Sequence, residues 1–436
     1  MYAFATAPPG PTADTDTDSA TDTGRRTPRR DLQQVHARSM DLVAATLDSQ
    51  DRLIDVLTEI TPYDAARDEL HRAIRTLSGA TWEIARNDPR RLDRVAVFLP
   101  SNNVFYSYVL FGLVPAMYSD EVAIRPSART REAALALHEV MLDRLPWLRG
   151  RVRLAEASQR DFVKVCADSD ATVFTGRYEN GLNVMERVGP DPLFLLMGSG
   201  PNPMVIGPGA DPAEVCRALL ISRLYNSGQD CLCTDLVFVH RSVIRPLLDR
   251  LRAHLAALPV GDRRKPGTLI APLVYEDAVE GAAEFLDAHH YHLVHGGEVR
   301  AEDGYVAPSV VVLPTAEGFS PPELFSPVFC VCAYDDVAEI QEWARTPAEL
   351  ERGMYATVFG EPRLTGELLG SAVICRERTT FDVEDGNQPF GGYGPQASSV
   401  RRDGTLAARP LLLSAEAGSR DAATGGITGA ALDGRG

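Results

Sequence analysis

Asn226-Ser227-Gly228-Gln229-Asp230-Cys231 closes a helical pattern running from Asp211 to Tyr225 and stands just before the apolar run Leu236-Val237-Phe238-Val239. A cysteine at a helix-to-strand junction, behind a flexible glycine, can be exposed, poised and nucleophilic, and the attacking species is its thiolate. The bland alternative is a buried cysteine that behaves as a small hydrophobe. The segments before and after it decide between the two.

Working outward, the chain upstream alternates strand and helix. Apolar runs at Val95 to Leu99, Val122 to Ile124, Val152 to Leu154, Thr172 to Phe174 and Leu193 to Leu196 are separated by helical patterns, among them Thr130 to Leu145 and a helix from Asn180. Five short strands spaced by helices predict a parallel, doubly wound sheet, which binds ligands at the carboxyl ends of its strands. Before them, Val43, Leu47, Ile54, Leu57 and Ile60 recur at helical spacing, and Pro62 separates this helix from a second one starting near Ala65. Downstream, strands are expected at Leu236 to Val239, His292 to Val294, Val310 to Leu313, Val328 to Cys332 and Tyr355 to Phe359, with helices at Val243 to Leu255 and Ala278 to Ala288. This reads as a second α/β domain and places Cys231 near a domain boundary, where clefts form. The expected division is a disordered tail over 1–30, N-terminal helices with a first domain over 31–203, a second domain over 204–388, a return to the first over 389–416, and a disordered tail over 417–436.

Composition narrows the classes. A formal net charge of −16 over 436 residues argues against nucleic acid as a partner, because affinity there comes from cations on phosphates. No stretch reaches the length of a membrane span. Seven cysteines, an odd number lying mostly in apolar runs such as Phe329-Cys330-Val331-Cys332, suggest no disulfide framework, and a cytoplasmic location is expected. Cys231 and Cys233 form a Cys-x-Cys pair without a second ligand pair at zinc spacing, so no metal is expected. Lys164 and Lys265 are the only lysines.

Read as Asn-x-Gly-Gln-x-Cys, the opening stretch resembles the nucleophile motif of the aldehyde dehydrogenase superfamily. Four further segments resemble that family in its order. Pro100-Ser101-Asn102-Asn103 stands where Pro-Trp-Asn is common, Arg125-Pro126-Ser127 where Lys-Pro-Ser is usual, Phe174-Thr175-Gly176-Arg177 with Gly181 where Phe-Thr-Gly-Ser-x-x-x-Gly is expected, and Glu323-Leu324-Phe325-Ser326-Pro327-Val328 where Glu-x-Phe-Gly-Pro-Val is. Pro389-Phe390-Gly391-Gly392 matches a closing segment beside the active site. The resemblance runs from about Asp31 to Glu416. It implies an aldehyde dehydrogenase-like fold of two α/β domains, one built on a parallel sheet for the cofactor and one catalytic. It also implies Cys231 as nucleophile, with Asn102 and the Cys231 N–H as oxyanion donors. NAD or NADP would be held by Arg125, Ser127, Thr175, Gly176, Arg177, Gly181, Glu323 and Phe325.

Two departures qualify the expectation. The family glutamate that activates the hydrolytic water falls on Leu196 or Met197, whichever way the one-residue length difference is aligned. Neither side chain can accept a proton, so the acyl acceptor is expected to be something other than water, coenzyme A first, or the reaction to run as acyl reduction. The hairpin and tail that build family tetramers look reduced, and a homodimer is expected. Ala128 stands where NAD-preferring relatives often carry a glutamate, with Arg129 beside it, which predicts acceptance of NADP. The rival reading is a catalytically degenerate relative that binds a nucleotide or a protein.

Overall fold

The computed structural model describes residues 31–198, 200–361, 364 and 368–418. The tails expected over 1–30 and beyond 418 lie outside the described residues. Ala417 and Gly418, counted with the second tail, are tied down: Arg90 N donates to Ala417 O at 2.8 Å, and Pro89 bridges Gly418.

Three helices open the chain, α1 (Leu32–Asp48), α2 (Gln50–Leu57) and α3 (Tyr63–Asn87). Asp31 caps α1 by accepting from the N–H groups of Gln33 and Gln34, and Pro62 ends the preceding turn. The stripe Leu70, Ala73, Leu77, Ala80 and Ile84 of α3 is buried at helical spacing against α1 and the first sheet.

Strands β1 (Leu92–Phe98), β2 (Ser119–Arg125), β3 (Val152–Leu154), β4 (Ala171–Thr175) and β5 (Leu193–Met197) are mutually parallel. Between them run α4 (Val104–Tyr108), α5 (Arg131–Arg144), α6 (Gln159–Ala167) and α7 (Tyr178–Val188). The second sheet contains β6 (Pro203–Ile206), β7 (Leu236–His240), β8 (Leu293–His295), and, after a two-stranded ribbon of β9 (Val299–Arg300) and β10 (Tyr305–Val306), β11 (Ser309–Leu313), β12 (Val328–Tyr334), β13 (Tyr355–Phe359), β14 (Leu368–Leu369) and β15 (Ala372–Arg376). Helices α8 (Pro212–Leu224), α9 (Arg241–Leu255) and α10 (Glu276–Ala288) belong to this half. The chain then returns, and β16 (Ser398–Arg402) pairs antiparallel with β5 while β17 (Thr405–Ala408) pairs with β16.

The first sheet has the order β17-β16-β5-β4-β1-β2-β3, and the second β14-β15-β13-β6-β7-β12-β11-β8. In the first, connections run one way from β1 through β3 and the other way from β4 to β5, so the order reverses between β1 and β4. Ligands of doubly wound sheets sit in the crevice above such a reversal. Here the two strand ends are joined by Thr175 Oγ1, which donates to Phe98 O at 2.7 Å. Among the described residues, no helix is long and apolar enough to cross a membrane.

Candidate active site

The cysteine loop is built on unusual backbone. Asn226, Ser227 and Gly228 have φ of 49°, 57° and 85°, three successive left-handed residues that turn the chain sharply after α8. For Ser227 this conformation is costly, and packing must enforce it. Its hydroxyl accepts from Ala271 N at 3.0 Å, and Gln229 reaches Asn226 O at 3.2 Å and accepts from Val274 N at 2.9 Å. Gly228 is required by close approach as well, since a Cβ there would lie 2.4 Å from the Ser326 carbonyl. The Asn-x-Gly-Gln-x-Cys and Glu-x-Phe-Ser-Pro segments therefore pack backbone to backbone.

Behind this contact lies Arg223, which is buried and makes five hydrogen bonds. Its guanidinium donates to Ser326 O at 2.7 and 3.0 Å, Gly228 O at 3.1 Å, Thr234 O at 2.8 Å and Asp235 Oδ1 at 3.1 Å. Asn202 completes the frame by donating to Cys231 O at 2.7 Å and Cys233 O at 3.2 Å, and Thr380 Oγ1 donates to Leu232 O at 2.7 Å. The sequence reading missed all three. A signal existed for Arg223, which continues the buried stripe of Val215 and Leu219.

Asn102 lies on the loop after β1 and lines the same cleft as Cys231. The loop is fixed on three sides. Tyr275 OH donates to Ser101 O at 2.6 Å, Ser101 Oγ donates to Ser127 Oγ at 2.7 Å, and Asn103 Nδ2 donates to Asp230 Oδ2 at 2.7 Å. Asn103 itself has φ 48°. From below, the buried carboxylate of Glu69 accepts from Phe105 N at 2.7 Å and Tyr106 N at 3.1 Å and holds the start of α4. Asn102 is thus carried on a loop whose neighbours are tied down, which is what an oxyanion donor needs.

The cleft encloses about 990 Å³ and runs from the tips of β1, β2 and β4 past Cys231 to Phe390 and Leu411. Arg125, Ser127, Thr175, Gly176, Arg177, Glu323 and Phe325 all line it. Gly181 does not; a Cβ there would come within 2.8 Å of Leu196 Cδ1, so this glycine lets α7 settle on β5. Gly176, at φ 144°, and the N-terminus of α7 form an open turn of the kind that accommodates a phosphate. Phe325 has φ 46°, a strained conformation for a bulky residue held at a site wall. Arg125 Nε donates to Ala157 O at 3.0 Å, which fixes it beside the groove. After Phe390, Gly392 and Gly394 lie where a Cβ would approach the backbone of Gly353 to 2.3 Å.

At the end of β5, Leu196 faces the apolar layer under α7 and Met197 faces the cleft. No carboxylate projects from either position. Those near the thiol come from elsewhere: Glu323 lines the cleft, as does Glu384, which accepts from Tyr106 OH and lies 3.7 Å from Arg72. Cys231 reaches the cleft but packs with Leu232, Met354, Tyr355, Phe381 and Phe390. Burial first, then the charges of Asp230, Glu323 and Glu384, hold its thiol well above the ordinary range. Cys233 is buried and is likewise pushed up, chiefly by burial. Among the described residues, no group of three or more His, Cys, Asp or Glu side chains could hold a metal ion.

Comparison with known proteins agrees with this geometry. The family described as "Aldehyde dehydrogenase family" matches residues 29–407. Aldehyde dehydrogenase family 3 comG of Dictyostelium discoideum is 27% identical over 231 residues, 52% of this chain and 48% of that protein. A non-phosphorylating aspartate-semialdehyde dehydrogenase of Halomonas elongata is 28% identical over 250 residues, 55% of this chain and 49% of that protein. The matched part thus spans about half the length of these curated relatives. In fold, the chain superposes on the NADP complex of glyceraldehyde-3-phosphate dehydrogenase GapN from Methanocaldococcus jannaschii with a TM-score of 0.76 at 17% identity, covering 88% of this chain and 87% of that one. With the family matched over most of its length, and with the cysteine, asparagine and strand-end turns gathered on one cleft, this chain belongs to the aldehyde dehydrogenase family.

Proposed function

We propose that the protein is an NAD(P)-dependent aldehyde oxidoreductase working through a covalent Cys231 adduct, with the acyl group passed to an acceptor other than water. The observation that carries the reading is the common cleft: Cys231, Asn102 and the Gly176 turn before α7 all line it. In the oxidative direction the Cys231 sulfur, once deprotonated, forms a bond to the aldehyde carbon. The former carbonyl oxygen becomes an alkoxide held by the Asn102 amide and the Cys231 N–H, donors that act because they are oriented before charge develops. Arg125, Ser127, Thr175, Gly176 and Arg177, with Glu323 and Phe325, would hold NAD(P), which when bound would supply the hydride acceptor. Loss of hydride from the carbon restores C=O as a thioester on Cys231.

Resolution of that thioester needs a nucleophile. Of Leu196 and Met197, the two residues on which the water-activating glutamate falls, Met197 is the one that lines the cleft and neither accepts a proton, and a general base must lie within hydrogen-bond reach of the water proton it takes. A thiol acceptor requires less help, since its thiolate attacks directly and expels the Cys231 thiolate. Coenzyme A is the acceptor we propose; the reverse sequence, reduction of an acyl thioester to an aldehyde, uses the same groups. Single-turnover acyl release, followed by intact-protein mass spectrometry, tests this. The acyl adduct is expected to persist in buffer and to disappear on adding coenzyme A. Rapid hydrolysis with no gain from coenzyme A would refute the acceptor, and no adduct with any aldehyde would favour a non-catalytic binding protein.

A further inference from the structure

Away from the strand tips, the cleft follows one face of a helix. Asn103, Tyr106, Ser107, Leu110 and Phe111 all line it, and steps of three and four residues put them on one side of α4 and its continuation. That continuation is a π-helical turn, Val109–Leu113, closed by Val114 N donating to Val109 O at 3.0 Å, a rare conformation that is frequent at functional sites. Gly112 settles the turn on the sheet, since a Cβ there would lie 2.8 Å from Ile124 Cδ1. Leu110 and Phe111 are left to the cleft, where Phe390, Leu411 and Leu413 of the returning chain join them. From Asn103 to Phe111 this arm runs about 12 Å at 1.5 Å per residue, the reach of an extended chain of about ten carbons.

The polar groups of the arm are already engaged. Tyr106 OH donates to Glu384, and Glu83 accepts from Asn387 Nδ2 at 2.8 Å and Ser414 Oγ at 2.6 Å. Arg72 is the cation that α3 brings to the cleft. Its guanidinium lies 2.7 Å from Asp68 and 3.7 Å from Glu384, and over the rings of Tyr225 and Phe381 at 5.0 and 5.1 Å. One guanidinium thus faces two carboxylates, which leaves no free positive charge for an anionic tail. Resting on the Cys231 reading above, we propose that this arm receives the acyl group, and that it selects a long, unbranched alkyl chain over a chain ending in a carboxylate. A carboxylate entering here would meet Glu384 and lose its water without gaining a partner. A methylene chain would lie along Leu110 and Phe111 and gain apolar burial with each carbon.

Two measurements on the full-length protein test this. The first is kcat/KM for straight-chain aldehydes from butanal to dodecanal and for 6-oxohexanoate, with NAD(P) and coenzyme A present. It is expected to rise about threefold per added methylene up to octanal and to level off near decanal, with 6-oxohexanoate at least about tenfold below hexanal. Leu110→Trp is expected to move the plateau at least about two carbons shorter. A series flat within about threefold, 6-oxohexanoate equal to hexanal, or a plateau unmoved by Leu110→Trp overturns the proposal while leaving the Cys231 reading intact. The second measurement needs no turnover: decanamide is expected to slow alkylation of Cys231 by iodoacetamide at least about tenfold more than butanamide at equal concentration. Protection by decanamide without turnover of any aldehyde refutes the Cys231 chemistry and supports the arm, and absence of both refutes the two together.

Discussion

Asn103 Nδ2 donates to Asp230 Oδ2 at 2.7 Å, so the loop that carries Asn102 and the residue before Cys231 form one hydrogen-bonded unit across 127 positions of sequence. The same carboxylate accepts from Leu232 N at 2.7 Å through its other oxygen. Asp230 therefore fixes the thiol's own turn and the loop that carries the amide opposite. Asn103→Ala is expected to lower kcat about tenfold, with cofactor affinity unchanged, since it loosens the alignment without removing a donor. Asn102→Ala removes the proposed oxyanion donor and is expected to cost about 10² to 10³ in kcat. Steady-state kinetics with cofactor titration checks the order; an Asn103 variant worse than the Asn102 variant would argue that Asn103 is the donor.

Cys231 is held as a neutral thiol at ordinary pH, by burial first and by Asp230, Glu323 and Glu384 next. Below its raised pKa the thiolate fraction grows tenfold per pH unit, so alkylation by iodoacetamide is expected to rise steadily from pH 6 to pH 9 without levelling. Glu384→Gln removes one of the charges and is expected to raise that rate at fixed pH. Cys231→Ala is expected to abolish aldehyde oxidation with the fold retained, whereas Cys233→Ala is expected to be mild. A plateau in alkylation near neutral pH would show an activated thiolate instead.

Much of the first sheet was legible because its strands are short, apolar and separated by amphipathic helices, and those periodicities reach the sequence directly. The hairpin of β16 and β17 was passed over although Asp403-Gly404, at φ 49° and 76°, is a strong two-residue turn signal. Its flanks, Ser398–Arg402 and Thr405–Ala408, carry too little apolar alternation to register as strands. Strand β6 was hidden for a different reason: it opens with Pro203, which a strand tolerates only at its first position or its edge. In the cleft, the sequence marks residues that lie in motifs and does not mark those that support them. Asn102 and Cys231 belong to recognisable segments, whereas Asn202, Arg223 and Thr380 act through side-chain hydrogen bonds, mostly to backbone carbonyls of other segments, which no local pattern announces. Gly181, a motif glycine, lies off the cleft lining, where a Cβ would meet Leu196.

Arg223 offers the sharpest structural test. Its five hydrogen bonds satisfy the carbonyls of Gly228, Thr234 and Ser326 together with Asp235, and burial already raises the Asp235 carboxyl to about 6. Removing one partner of a buried pair leaves the other charge uncompensated and costs about 3 to 5 kcal/mol. Arg223→Met is therefore expected to lower Tm by several degrees and to lose activity. Arg223→Lys keeps the charge but cannot span four acceptors, so it is expected to recover part of the stability and little of the activity. Full activity in the lysine variant would mean that charge alone organises the loop.

Glu69 gives the molecule a pH-dependent stability that can be isolated. The carboxyl is buried, with Oε1 accepting from Phe105 and Tyr106 N–H and with no partner found for Oε2 among the described residues. Burial outweighs those two bonds and raises its pKa to about 7 from the usual 4.5, with Asp230 adding to the rise and Arg72 opposing it. Between those values the folded protein binds a proton that the unfolded chain does not, so stability falls as pH rises through the window and the loss is complete above about 7. The difference is on the order of 3 kcal/mol. A glutamine side chain in its place would keep an acceptor oxygen for both N–H groups and carry no charge. Glu69→Gln is therefore expected to match the wild type near pH 5 and to melt progressively higher than it by pH 8. Thermal melts of the two proteins across that range check the claim, and a pH-independent difference in Tm would show that the carboxyl is not the titrating group.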